Sequence, residues 1–145
     1  MTARQTAPAS YETFEHTADL GLRVQAADLN TLFATAAAGL CSMLVEHPEC
    51  VEQRESRRFE IASDDPTYLY FDWLNELLYV FESEGLLLPA AQVQVEGNRL
   101  TAEASGEKLD PDRHGLGHEV KAVTYHALKL EQLKTNWQAE VIVDI

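Results

Sequence analysis

The chain has 145 residues, and its 24 Asp and Glu against 11 Lys and Arg leave a formal net charge of −13. That length suits one domain, and 46% apolar with 24% charged residues excludes wholesale disorder. The acidity excludes a module that grips phosphate backbones through clustered Lys and Arg, or that docks on an anionic membrane, so no direct nucleic-acid or membrane partner is expected.

Met1 to Ser10 is Thr/Ala/Pro-rich with no apolar core. It is expected to be a disordered tail at residues 1–10 ahead of a domain at 11–145, and it is not a secretory signal. A strand is expected over Tyr11 to Glu15, and a second where Leu20, Leu22 and Val24 alternate with polar residues, with His16-Thr17-Ala18-Asp19 at their junction. Asp28 is placed to cap a helix whose apolar positions run Leu29, Leu32, Phe33, Ala36, Ala37, Leu40, Met43 and Leu44 through to Val45, with Pro48 as its stop. A strand follows around Arg57 to Ile61. Asp65-Pro66 then opens a second helix with the stripe Tyr70, Trp73, Leu74, Leu77, Leu78 and Phe81, closed by Gly85.

Val93 and Val95, a Gly97-Asn98 turn, and Leu100, Ala102 and Ala104 predict a tight hairpin. Gly106 to Gly117 carries Pro111 and three glycines and is expected to be mostly loop. Val120 to His126 is open between strand and short helix. Leu128 and Leu130 lead through Lys134-Thr135-Asn136 into Trp137 to Ile145 as a second hairpin. The sum is a single α+β domain with two helices packed on a mostly antiparallel sheet. No apolar run approaches the roughly 18–20 residues of a membrane-spanning helix, and Leu86-Leu87-Leu88 is cut off by Pro89. Cys41 lies in a helical apolar pattern and Cys50 in a loop, no disulfide framework is present, and a reducing cytoplasm is the expected compartment.

Val141, Val143 and Ile145 alternate up to the last residue, so the chain end is expected to be held as a strand rather than frayed. If a central strand brings Asp19 alongside, its carboxylate meets those of Asp144 and the chain end. Such a cluster needs protons or a hard cation to neutralise it. The plainer alternative, Asp19 in a turn and Asp144 as an exposed charge, stays open. His114 and His118 have a zinc-like spacing, against which Gly115 and Gly117 weigh. His16 and His126 serve as structural histidines or line the site of Asp19. Lys121 precedes Ala122-Val123-Thr124-Tyr125-His126 and is otherwise an ordinary surface lysine. The Asp72, Asn75, Glu76 and Tyr79 face of the second helix reads as a solvated polar face. No nucleophile elbow or phosphate loop occurs.

The stretches Phe14-Glu15-His16-Thr17-Ala18-Asp19-Leu20-Gly21-Leu22-Arg23-Val24, Trp73-Leu74-Asn75-Glu76-Leu77-Leu78-Tyr79, Gly106-Glu107, Asp110-Pro111-Asp112-Arg113-His114, Glu119-Val120-Lys121-Ala122-Val123-Thr124-Tyr125-His126 and Val141-Ile142-Val143-Asp144-Ile145, taken together and in this order, resemble the archease family. That resemblance implies two strand–helix–strand–strand units, one inserted in the other. It implies a non-catalytic activator of the RtcB-type RNA ligase of tRNA splicing and RNA repair, which promotes ligase guanylylation and multiple turnover. It further implies a divalent cation, Ca²⁺ before Mg²⁺ or Mn²⁺, held by Asp19, Asp144 and the main-chain carboxylate of Ile145. Lys121 is implicated in activation. Ser105 stands where the family pattern leads one to expect Arg, and the Lys134-Thr135-Asn136 turn lacks glycine. The alternatives are a metal-dependent phosphohydrolase using the same carboxylates, or a general protein chaperone.

Overall fold

The computed structural model describes residues 8–16 and 19–145, with main chain alone at His16. Residues 1–7 of the expected tail, and Thr17 and Ala18 of the junction, lie outside the described residues. The first strand, β1 (Ser10–His16), pairs antiparallel with β2 (Asp19–Ala26), whose alternation buries Leu20, Leu22, Val24 and Ala26 on one face. Helix α1 (Leu29–Leu44) starts where expected. The Asp28 carboxylate accepts the Thr31 N–H at 2.8 Å, satisfying one of the first-turn donors that have no helical partner. The last helical residue is Leu44, and Val45, where the helical pattern was expected to run out, caps it in extended backbone; Pro48, expected as the stop, instead opens a single 3₁₀ turn at Pro48–Cys50.

Strand β3 (Glu55–Ala62) leads to helix α2 (Pro66–Glu84), which is capped by Asp65 and closed by Gly85 at φ 68°. That positive φ is why glycine suits the position. The next hairpin, β4 (Leu86–Glu96) and β5 (Arg99–Lys108), is longer than the sequence suggested at both ends. Pro89, read as a break after Leu86-Leu87-Leu88, sits at a bulge between Leu87 and Ala90, where the ladder does not need its missing N–H. Gly106 lies in β5 rather than in a loop, at a position where a Cβ would collide with the Leu87 carbonyl oxygen and glycine is required. Ser105 is half-buried between Ser56 and Ala90. The expected loop also contains a one-turn helix, α3 (Pro111–His114). The last two strands are β6 (Ala122–Gln132), which settles the open reading of 120–126, and β7 (Trp137–Asp144).

The strands divide into two antiparallel sheets, β1-β2-β7-β6 and β3-β5-β4, rather than one. The unit β3-α2-β4-β5 is inserted within β2-α1…β6-β7, as the family resemblance implied. Helix α1 packs on β2 and along β4, and α2 packs chiefly on β6. One continuous core joins both helices and both sheets. Buried Trp73 donates its Nε1–H to the Phe33 carbonyl at 2.8 Å and meets the Phe59 ring edge-on. Cys41 is part of this core, and burial pushes its thiol up to about 12. No helix among the described residues is long and apolar enough to cross a membrane.

Tyr70 is fully buried edge-on to Phe33, and its hydroxyl has no hydrogen-bond partner among the described residues. Burial holds that phenol well above its usual pKa. Because no bond is lost, Tyr70→Phe is expected to leave stability unchanged or to raise it by up to about 1 kcal/mol. Urea denaturation checks this, and a loss larger than that would mean the hydroxyl is bonded.

Candidate functional site at the end of the central strands

The pairing of β2 with β7 decides where the acidic residues meet. On the face away from the helices, Gln25 pairs with Gln138 through a 2.8 Å hydrogen bond, and Arg23 pairs with Glu140 through a 2.7 Å ion pair. Gly21 pairs with Ile142 and carries the Phe14 ring directly above it, where any side chain would collide. One step beyond Leu20 and Val143, the same register sets Asp19 opposite Asp144. Asp19 is half-buried and Asp144 exposed. On the other side of β7, Ala122 pairs with Asp144, and the Lys121 N–H donates to the Asp144 main-chain oxygen at 2.7 Å. Ile145 packs half-buried on the core. Asp19, Asp144, Ile145 and Lys121 are thus brought to one end of the β1-β2-β7-β6 sheet.

Directly opposed like charges on a sheet face repel. Neither Asp19 nor Asp144 has an ion pair among the described residues. A donor set made only of carboxylate oxygens fits a hard cation that takes oxygen ligands and completes its shell with water. Among the described residues no group of three His, Cys, Asp or Glu side chains is arranged to hold a metal ion.

The histidines divide. The main chain of His16 pairs with Asp19, while its side chain lies outside the described residues. His126 sits four positions along β6 from Ala122, exposed within a bulge between Thr124 and Lys129, and its N–H donates to Thr124 Oγ1 at 3.3 Å. The zinc reading of His114 and His118 fails. His114 is fully buried with both ring nitrogens engaged: Nδ1 accepts the Asp110 N–H at 3.0 Å, which leaves the proton on Nε2, 3.1 Å from Glu107 Oε2. His118 is exposed, and its N–H donates to the Met43 carbonyl.

Residues that sequence reasoning left in a loop prove to form a buried clasp ahead of the segment that leads into β6. The Glu107 carboxylate is 4% exposed and accepts two bonds from the Arg113 guanidinium at 2.7 and 2.6 Å, and one from the Glu52 N–H at 2.6 Å. The Arg113 guanidinium, with help from the Glu52 amide and His114, holds its carboxyl far below the usual range despite the opposing effect of burial. Beyond this clasp the chain crosses from β5 to β6. Its Gly117 and His118 N–H groups bond the Leu44 and Met43 carbonyls, completing the end of α1 that Pro48 does not. Besides the two stretches here that share in the family resemblance, Gly106-Glu107 and Asp110 to His114, the local signal was Asp110-Pro111, the cap and first position of α3.

The Archease protein family model (MTH1598/TM1083) matches residues 11–145. Protein archease of Pyrococcus abyssi is 39% identical over 140 residues, covering 93% of this chain and 98% of the relative. Protein archease of Methanosarcina mazei is 37% identical over 140 residues, covering 93% and 95%. The solution structure of Methanobacterium thermoautotrophicum protein 1598 superposes with a TM-score of 0.77 at 33% identity, covering 93% of this chain and 98% of that one. A Thermotoga maritima crystal structure, described as an archease and possible chaperone, shares the fold with a TM-score of 0.63 at 22% identity, covering 99% and 100%.

Proposed function

The chain belongs to the archease family, and on that premise we propose that it is a non-catalytic accessory protein that activates an RtcB-type RNA ligase. In this reading it promotes guanylylation of the ligase and its repeated turnover in tRNA splicing and RNA repair. The observation that carries the site is the strand register that sets Asp19 opposite Asp144 while Lys121 bonds the Asp144 main chain. Asp19, Asp144 and the main-chain carboxylate of Ile145 hold a divalent cation, Ca²⁺ before Mg²⁺ or Mn²⁺. When bound, the cation supplies positive charge that relieves the repulsion between the opposed carboxylates. Lys121, exposed at the edge of the same sheet end, engages a phosphate or an acidic ligase residue in the guanylylation-competent state. The cytoplasm is the proposed compartment.

The test is multiple-turnover RNA ligation with this protein substoichiometric to the ligase. Repeated turnover is expected with it and about a single round without it. Unchanged turnover contradicts the reading.

A second reading follows from the description of the Thermotoga maritima structure as a possible chaperone. A general chaperone offers a broad apolar patch. Among the described residues the exposed large apolar side chains are Tyr11, Tyr68, Tyr79, Leu116, Tyr125 and Leu133, of which Tyr68 and Tyr125 are in ring contact. Suppression of aggregation of an unrelated unfolded protein separates this reading from ligase activation.

A further inference from the structure

Strand β6 leaves regular pairing between Thr124 and Lys129, where several residues stand against a short stretch of β7. Within that bulge Ala127 adopts φ 55°, the one non-glycine residue with positive φ among those described. A backbone of this kind is strained for a residue with a Cβ, and such strain persists where surrounding structure holds it, often next to functional surfaces. Bulges also re-aim side chains.

What this bulge delivers is Tyr125. Its ring stacks on Phe71 of α2, with centroids 3.9 Å apart and planes 18° apart, and meets Tyr68 edge-on at 5.9 Å. Phe71 is 7% exposed and anchors the stack, while Tyr125 stays 60% exposed and Tyr68 46%. A ring supported from below and open above offers its negative π-face to solvent. Around it, Asp65 is held at the start of α2 by the Tyr68 N–H, and Asp72 stands four residues on from Tyr68, on the same helix face. The Asp72 carboxylate accepts the Ser63 hydroxyl, and neither it nor that of Asp65 has an ion pair among the described residues. The platform lies on the helix side of β6, four residues and about 13 Å along the strand from Lys121.

We infer that Tyr125 and Tyr68, seated on Phe71 and flanked by Asp65 and Asp72, form the surface that docks on the ligase, taking an Arg-bearing cationic patch of that partner. This rests on the ligase reading and names the face that serves it. A guanidinium laid over Tyr125 gains cation–π attraction, and the rim carboxylates supply it with charge-assisted hydrogen bonds. Tyr and Arg are the residues most often found carrying binding energy at protein interfaces. A second copy of this chain is disfavoured, because a net charge of −13 and a carboxylate rim repel their like.

Calorimetric titration of the full chain into the RtcB-type ligase tests this. Tyr125→Ala is expected to weaken binding at least about tenfold, as is Tyr68→Ala on the exposed face of α2. Tyr125→Phe, which keeps the π-face, is expected to bind as the natural sequence does. So is Leu133→Ala, an exposed apolar site in the turn at the far end of β6 and β7. Binding should also weaken as salt rises from about 0.05 to about 0.5 M. If Tyr125→Ala fails to fold by circular dichroism, Tyr68→Ala carries the test. Undiminished binding by the folded alanine variants overturns the platform while leaving the ligase reading intact. Loss of binding equal in Leu133→Ala, or binding indifferent to salt, also overturns it. Absence of any binding by the natural sequence overturns the ligase reading itself, and the platform's partner with it.

Discussion

Glu107→Ala is expected to lower the unfolding free energy by about 3 kcal/mol. The change strips Arg113 of two hydrogen bonds, and leaves the Glu52 N–H and the buried His114 Nε2–H without their acceptor. The figure is taken at the low end for a broken buried pair because Arg113 keeps a 38% exposed side chain. Glu107→Gln preserves shape but gives up the charge, and should fall between the two. The pH dependence carries a definite sign. A carboxyl whose folded pKa is depressed contributes stability that is present above the unfolded value, near 4.3 for Glu. That contribution drains away as pH falls below that value towards the folded one. The natural protein should therefore lose stability steeply below about pH 4. The Glu107→Gln variant, with nothing to titrate there, should show a shallower slope over the same range. Urea titrations at a series of pH values measure both, and parallel slopes would show that Glu107 is not a main source of the acid sensitivity.

Asp144→Ala is expected to abolish ligase activation while the fold survives. Asp144 is exposed at the strand end, and its side chain makes no hydrogen bond or ion pair among the described residues, so its loss leaves the core untouched. Removing a carboxylate directly opposed to Asp19 relieves repulsion in the absence of a cation. The variant should then be as stable as the natural sequence, or slightly more so, in calcium-free buffer. In calcium it should lose whatever stabilisation a bound ion confers. Extending the chain by one residue after Ile145 is expected to abolish activation in the same way, because it displaces the main-chain carboxylate without touching either aspartate. Full activation by both variants would remove the cation from the account and leave docking alone.

How much of this was legible depends on the range of the interaction. The helices were readable from local signals: Asp28 and Asp65 as caps, Pro66 in the first turn, apolar stripes at helical spacing, and Gly85 as a stop. Each acts within a turn or two of its own position. Pro89 misled because a proline reads as a break unless the bulge that accommodates it is known. Segment 120–126 stayed open because the bulge after Thr124 interrupts the alternation that marks a strand. That the strands form two sheets depends on pairings such as Phe59 with Ala102, which no local period encodes. The buried clasp was the least visible part, since Glu107, Arg113 and His114 look like a charged loop until the fold encloses them. Asp19 and Asp144 became neighbours only through the β2–β7 register, although a chain end that keeps alternating had pointed to a held strand. The family resemblance added the inserted arrangement of the two units, which agrees with the element order.

The claim on which the rest turns is that Asp19, Asp144 and the main-chain carboxylate of Ile145 form one cation site. Calorimetric titration of Ca²⁺ into the metal-free full chain, beside Asp19→Asn and Asp144→Asn, addresses it directly. One binding event per chain in the natural sequence, lost in both variants and in a chain lengthened by one residue, is the predicted result. Calcium binding that survives in either Asn variant, or no binding by the natural sequence to Ca²⁺, Mg²⁺ or Mn²⁺, would contradict it.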